Sequence, residues 1–216
     1  MITVHTKLVA LLGTPLAQSL STLMQNAAFR SCGLDYEYFP VETTEQSLAP
    51  IVAGIRHMNF AGFGVTKPDK VAVIKHLDEL DEFAAKMGAV NTVVIDEGSK
   101  LKGYNTDGVG FLRSLGEHYA KPLSESIFVC LGAGGAARAI CSSLAYRGAA
   151  KIIVSSLLDW ESEQLVQNIN ANFAPVASMI PWGEQQALLH AAEPADMIIN
   201  ATGVGMGAHV GESPVD

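Results

Sequence analysis

The sequence predicts an α/β protein in two parts. A mixed α/β part comes first, and a Rossmann-like part of parallel strands follows. Three observations carry this. After residue 126, short apolar runs alternate with helical segments, the pattern of parallel strands joined by right-handed crossovers. The first of these runs, Ile127 to Leu131, leads directly into G-A-G-G-A-A (132–137), a glycine loop that opens a helix. Ahead of residue 108 the strands and helices are mixed and include a hairpin. The boundary is placed within 108–125, which gives parts 1–108 and 109–216.

The elements are read in order. Lys7 to Leu12 is a short apolar run ending at Gly13, a buried strand. A helix runs through Met24, Ala27, Ala28 and Phe29, with Ser19 or Ser21 as its cap and Gly33 as its stop. Tyr36 to Val41 is a second strand, and Pro40 places it at an edge or near its end. Residues 45–57 form a helix and Phe60 to Val65 a third strand. Val71 to His76 and Glu82 to Met87 are short helices. Asn91 to Asp96 and Lys100 to Tyr104 form a hairpin around Glu97-Gly98-Ser99. A helix from Asp107 reaches Leu115, and 120–126 is a polar connection. Then come the strand at 127–131, an alanine-rich helix to Arg147, a strand at Lys151 to Val154, a helix from Glu161 to Phe173, and a third strand at Met197 to Ile199.

The 216 residues are 49% hydrophobic and 17% charged, enough to bury a sizeable core. Net charge is −8, with 14 basic and 22 acidic residues, a balance that disfavours nucleic acid as a partner. Cys32, Cys130 and Cys141 lack CxxC spacing, so neither a disulfide framework nor a structural zinc site is expected; the thiols are read as reduced and mostly buried. The histidines show no ligand spacing, and no metal is expected. The N-terminus has neither a basic leader nor a cleavage site, and no apolar run reaches 18 residues, so a cytoplasmic protein without a membrane span is expected.

Four polar motifs follow one another: V-T-K-P-D-K (65–70), G-A-V-N-T (88–92), G-Y-N-T-D-G (103–108) and G-A-G-G-A-A (132–137). The last fits G-x-G-x-x-A with Gly132, Gly134 and Ala137 in register. Such a loop turns tightly, lets the backbone approach a pyrophosphate and offers unpaired N–H groups to phosphates. The ribose-selecting position falls in Ser155-Ser156-Leu157-Leu158-Asp159, which holds no Arg for a 2′-phosphate. Asp159 has two readings, a ribose acceptor favouring NAD or an N-cap or first-turn acid. The earlier motifs offer Lys70, Asn91 and Asp107. A lysine beside a carboxylate can transfer protons. A buried Asn must find partners in the backbone or a ligand. Each also has an ordinary structural reading, and it is their ordered occurrence ahead of a nucleotide loop that suggests a polar substrate held against a redox cofactor.

Over essentially its whole length the sequence resembles the shikimate dehydrogenase family, which includes quinate/shikimate dehydrogenases. G-T-P-L-A-Q-S-L-S (13–21) is similar to the family's substrate-carboxylate motif. V-T-K-P-D-K, A-V-N-T, N-T-D-G, G-A-G-G-A-A-R-A and N-A-T-G-V-G-M (200–206) are similar to its further motifs. The resemblance implies substrate contacts from Ser19, Ser21, Thr66 and Asn91, and a catalytic pair of Lys70 and Asp107. It implies cofactor contacts from Gly132, Ala133, Gly134, Gly135, Ala136, Ser155, Ser156, Ala201, Thr202 and Gly203. The sequence departs from the family pattern at Gln18, where His is usual, at Thr22 (Pro) and at Gly64 (Asn). It has Ser155-Ser156-Leu157 where Asn-Arg-Thr grips NADP, which leaves NADP and NAD both open. Family members continue well beyond Pro214, so the sequence is expected to be C-terminally truncated.

The activity implied is reversible reduction of a ring ketone by a nicotinamide cofactor in a cleft between the two parts, pairing 3-dehydroshikimate with shikimate or dehydroquinate with quinate. Lys70 would move the proton and Asp107 would orient Lys70. Two alternatives stand beside it: a non-catalytic ligand-binding or sensor protein on the same fold, and a dehydrogenase for an amino-substituted analogue. The expected partner is a small hydroxy-acid, and the expected state a monomer or homodimer.

Overall fold

The computed structural model describes residues 2–206 and 209–215, which fall into two compact units that divide at Asn105/Thr106. The first unit contains β1 (Lys7–Gly13), α1 (Ser21–Ser31), β2 (Tyr36–Glu42), α2 (Glu45–Arg56), β3 (Phe60–Val65), α3 (Asp69–Ala72), β4 (Glu79–Leu80), α4 (Glu82–Met87), β5 (Thr92–Ile95) and β6 (Leu101–Tyr104). The second contains α5 (Asp107–His118), β7 (Ile127–Leu131), α6 (Gly135–Tyr146), β8 (Lys151–Ser155), α7 (Asp159–Asn172), β9 (Ala177–Met179), α8 (Gln185–Ala192) and β10 (Met197–Asn200).

In the first unit six strands form one mixed sheet in the order β2-β1-β3-β5-β6-β4. β1 is parallel to both β2 and β3, and β5 is antiparallel to β3 and β6. Alternate residues of a strand face opposite sides. Ala10, Leu12, Phe63 and Val65 therefore pack with Leu48, Val52 and Ile55 of α2. Leu11 and Tyr38 turn the other way, toward Leu16 and Phe29. Pro40 lies in β2, an edge strand, where its missing N–H breaks no ladder bond. A capping box at Thr44 and Ser47 starts α2, and the Asp81 carboxylate caps α4. The cap of α1 is a correction: Leu20 occupies it without a side-chain bond, and Ser21 is the first helical residue. Asn26 holds α1 to the sheet instead. Its side chain accepts from the Tyr38 N–H and donates to the Tyr38 carbonyl, both at 2.8 Å.

The second unit is a parallel sheet in the order β10-β7-β8-β9. Phe128, Cys130, Ile152 and Val154 face α6 and α7, while Val129, Leu131 and Ile153 face Leu188 of α8. Residues 197–200 thus form a fourth strand, not a third; β9 and α8 precede it. A hollow of about 500 Å³ lies on the α8 side, lined by Leu131, Leu188, Leu189, Ile198 and Val215 among others. It is mainly apolar and contains none of the polar motif residues. Cys130 and Cys141 are buried and Cys32 is exposed. No helix among the described residues is long and apolar enough to cross a membrane.

Two carboxylates tie strand ends to neighbouring segments. Asp78 accepts from Arg56 Nη1 at 2.7 Å and from the Leu101 N–H at 2.7 Å. Asp196 accepts from Lys121 Nζ at 2.7 and 2.8 Å and from the Ile127 N–H at 2.9 Å. The side-chain bonds to Arg56 and Lys121 first, and the backbone bonds second, hold both carboxyls below their usual 3.8. With depressed folded values, the unfolded chain binds these protons more readily. The stabilisation is complete above the unfolded value and is lost as pH falls through the folded ones. The thermal midpoint is expected to be level above the usual carboxylate range and to fall as the pH drops below it. In Asp196→Asn the acid limb becomes shallower, and an unaltered limb in a pH series of melts would remove this role.

Candidate functional site

The first unit gathers its motif residues through backbone hydrogen bonds at the strand ends. The Thr66 N–H donates to the Leu12 carbonyl at 2.8 Å, and Thr14 N–H to the Lys67 carbonyl at 2.9 Å. The Val65 N–H donates to the Asn91 carbonyl at 2.8 Å, and Val90 N–H to the Lys70 carbonyl at 2.8 Å. These bonds bring the segments that carry Thr66, Lys70 and Asn91 side by side. Ser19 lies on the loop after β1 and Ser21 opens α1; the loop is held at its start by the Leu16 N–H on Glu42 Oε1 at 2.8 Å. The Ser21 N–H donates to Ser19 Oγ at 3.3 Å, so the two serines share one turn. The Asn91 side-chain oxygen accepts from Thr92 Oγ1 at 2.9 Å.

Lys70 sits in the first turn of α3, beside the buried Asp69. The Asp69 carboxylate accepts a hydrogen bond from the buried Thr43 hydroxyl. This pair fastens the lysine-bearing turn to the segment after β2. The sequence reading missed it, although Asp69 stands in a quoted motif: a carboxylate beside a lysine looks like a surface charge until its burial is seen.

In the second unit Asp107 is the first residue of α5. Gly108 follows because α5 lies against α6 there: a side chain at 108 would meet the Ser143 hydroxyl and stand 2.7 Å from the Ala139 carbonyl.

Gly132 follows β7 with φ +105°, and an added methyl would stand 2.9 Å from the Ala201 carbonyl. Its N–H donates to the Ser155 carbonyl at 2.7 Å, while Ala201 N–H donates to the Leu131 carbonyl at 2.8 Å. Gly132, Ser155, Ala201 and Thr202 therefore meet where strand order reverses, with β8 on one side of β7 and β10 on the other. Ligands of open α/β sheets bind in the crevice at that point. Gly134 is the N-cap of α6 and has no side-chain partner, and a methyl there would meet nothing within 4 Å. The first N–H groups of α6 can thus receive an anionic group. Ala133 is buried, so only its backbone borders the crevice, next to Gly135 and Ala136 at the helix start. Thr202 is fixed by its N–H and hydroxyl on Asn200 Oδ1, at 3.0 and 2.7 Å, and Gly203 continues that turn.

The segment after β8 is internally bonded. Ser156 Oγ donates to the Leu158 carbonyl at 2.9 Å and accepts from Ser162 Oγ at 3.0 Å. Ser155 Oγ is buried without a hydrogen-bond partner among the described residues. Leu158 is the N-cap of α7, and Asp159 is a first-turn acid whose carboxylate accepts from the Trp182 N–H at 3.1 Å. Arg138 on α6 feels Glu161 of α7, and burial lowers its pKa.

A parallel sheet with a glycine turn at its point of reversal, preceded by a unit carrying a lysine and several neutral polar groups, defines a dinucleotide-binding protein with a separate polar-ligand unit. The family model for the shikimate dehydrogenase substrate binding domain matches residues 11–93. The shikimate dehydrogenase (NADP(+)) of Geobacter metallireducens is 44% identical over 213 residues, covering 95% of this chain and 72% of that protein. The chain belongs to the shikimate dehydrogenase family. The crystal structure of shikimate 5-dehydrogenase from Listeria monocytogenes in complex with shikimate and NAD matches with a TM-score of 0.86 and 38% identity, over 99% of this chain and 74% of that one. Quinate dehydrogenase from Corynebacterium glutamicum in complex with NAD matches with a TM-score of 0.83 and 30% identity, over 98% and 75%.

Replacing Gly132 by alanine forces a side chain into a left-handed conformation and against a carbonyl. Gly132→Ala is expected to destabilise the second unit by about 1–3 kcal/mol. Urea denaturation followed by Trp160 and Trp182 fluorescence measures it, and an unshifted midpoint would contradict the geometry.

Proposed function

We propose that this chain reversibly reduces 3-dehydroshikimate to shikimate with a nicotinamide dinucleotide, residues 1–108 serving the substrate and 109–216 the nucleotide. The observation that carries the reading is the gathering of Thr66, Lys70 and Asn91 at adjoining strand ends, in a chain 44% identical to a shikimate dehydrogenase over 95% of its length. Ser19 and Ser21 bind the carboxylate, and Thr66 and Asn91 position ring hydroxyls. Lys70 gives the proton to the reacting oxygen during reduction and takes it back during oxidation. Asp107 is the second member of the catalytic pair.

The nucleotide fits the residues present. Gly134 leaves room for a diphosphate at the start of α6, with Gly132, Ala133, Gly135 and Ala136 contributing backbone. Ser155 and Ser156 border the ribose, while Ala201, Thr202 and Gly203 border the nicotinamide. When bound, the cofactor supplies or accepts the hydride. Relatives bear names or ligands of both kinds, NADP(+) and NAD. The segment Ser155–Leu157 carries no cation for a 2′-phosphate, which supports use of NAD alongside NADP. Dehydroquinate is the second substrate reading, supported by the likeness to a quinate dehydrogenase. A sensor without turnover is not favoured, since the curated relatives that match nearly the whole chain are named as dehydrogenases. A cytoplasmic monomer or homodimer belongs to the same proposal.

Nicotinamide absorbance assays crossing NADH and NADPH with dehydroshikimate and dehydroquinate test it. Turnover is expected with dehydroshikimate, and inactivity in all four combinations would overturn the reading. Lys70→Ala and Asp107→Ala should each lower kcat by roughly 10²-fold or more, with melting curves showing a folded protein. Near-wild-type rates in both would dismiss the pair.

A further inference from the structure

The hydroxyl of Tyr38 is a polar group without a structural task in the first unit. Tyr38 is 6% exposed, yet its phenol makes no hydrogen bond among the described residues, and burial pushes its pKa up to about 12. It is therefore a neutral donor throughout the working range of an enzyme. The ring is buried while the oxygen is not among the buried unpartnered atoms of the described residues, so the hydroxyl stands at the rim of the packed cluster, open to a ligand.

Its position shows the use. A methyl group at residue 64 would stand 2.6 Å from the Tyr38 oxygen and 3.4 Å from Leu11 Cδ1. The phenol thus lies across β1 and fills the place of a side chain on β3. Gly64 is itself half-buried, so the space above it is open. Thr66 is two residues further along, about 7 Å at strand spacing, and on the same side. The side is settled by β1: Leu11 borders Gly64, and the Thr66 methyl covers Gly13, two residues after Leu11. The backbone of Tyr38 is clamped at both polar groups by Asn26, which fixes where the ring points.

We propose that Tyr38 is a substrate-binding residue, its hydroxyl donating a hydrogen bond to an oxygen of the bound ring on the flank served by Thr66, with Gly64 as the vacancy that admits it. This rests on the ring hydroxy-acid reading above. A phenol in place of a side chain at 64 makes this part of the site depend on a residue 26 positions earlier in the chain.

The experiment is steady-state kinetics on the full chain with shikimate and the preferred nucleotide. Tyr38→Phe removes one oxygen and keeps the ring. The expected result is a three- to tenfold fall in kcat/KM for shikimate carried by KM, roughly the worth of one neutral hydrogen bond. The nucleotide KM should not move. The variant should melt at or above the wild-type temperature, because the hydroxyl holds nothing in the free protein. A melting point several degrees lower would assign the hydroxyl a structural bond and overturn the proposal, as would an unchanged shikimate KM. Gly64→Ala, which pushes the phenol aside, should raise the shikimate KM in wild type but add little in the Tyr38→Phe background. Additive effects would separate Gly64 from the phenol and overturn that part. Wild-type inactivity toward shikimate with both nucleotides removes the functional reading itself. Wild-type activity with an unaltered Tyr38→Phe removes this inference alone.

Discussion

The first unit depends on the close approach of β1 and β3 at Gly13. Gly13 has φ +151°, and the Thr66 methyl stands where its side chain would be. Its carbonyl accepts the Thr43 N–H at 3.1 Å, and the following Thr14 N–H donates to Lys67 at 2.9 Å. One position without a side chain thereby lets three loops converge, those after β1, β2 and β3. The serine turn, the Thr43–Asp69 pair and the Lys70 turn are all downstream of that convergence. Any residue with a Cβ at 13 would part the strands just where the polar motifs must meet.

The second unit reaches a comparable result by different means. There the reversal of strand order, not a missing side chain, opens the crevice. Gly132 then lets the chain turn between Ser155 on one flank and Ala201 on the other. Close helix contact at Gly108 sets the start of α5, so Asp107 is held by the same helix, α6, whose first turn faces the nucleotide loop. The proposed catalytic carboxylate and the proposed phosphate site thus share one rigid support.

Much of this was legible in the sequence because its signals are local. The apolar runs at 60–65 and 127–131, the hairpin around Gly98 and the glycine loop each announce themselves within a few residues. The missed elements lack such signals. β4 has two residues, and β9 has three, with a serine in the middle. α8 opens with two glutamines and carries a single buried residue, Leu188, so its amphipathic stripe is thin. The misread cap of α1 came from giving serines a capping task in a helix whose anchor is Asn26, a long-range contact. Lys70, Asp107 and the serines stood out because they lie in recognisable motifs. Tyr38 did not: in Y-E-Y-F-P-V it reads as strand filler, and only the third dimension brings it over Gly64.

The clamp of Asn26 on Tyr38 has a consequence at the margin of the sheet. β2 is an edge strand, and an unpaired edge offers its outward N–H and C=O groups to any other strand. Both outward groups of Tyr38 are occupied by an amide side chain, and Pro40, the next residue facing outward, has no N–H to offer. Two successive rungs of a would-be ladder are therefore absent. The β2 edge is closed to strand addition at these rungs by one side chain of α1 and one imino acid, which guards that margin against growing the sheet into a neighbouring molecule.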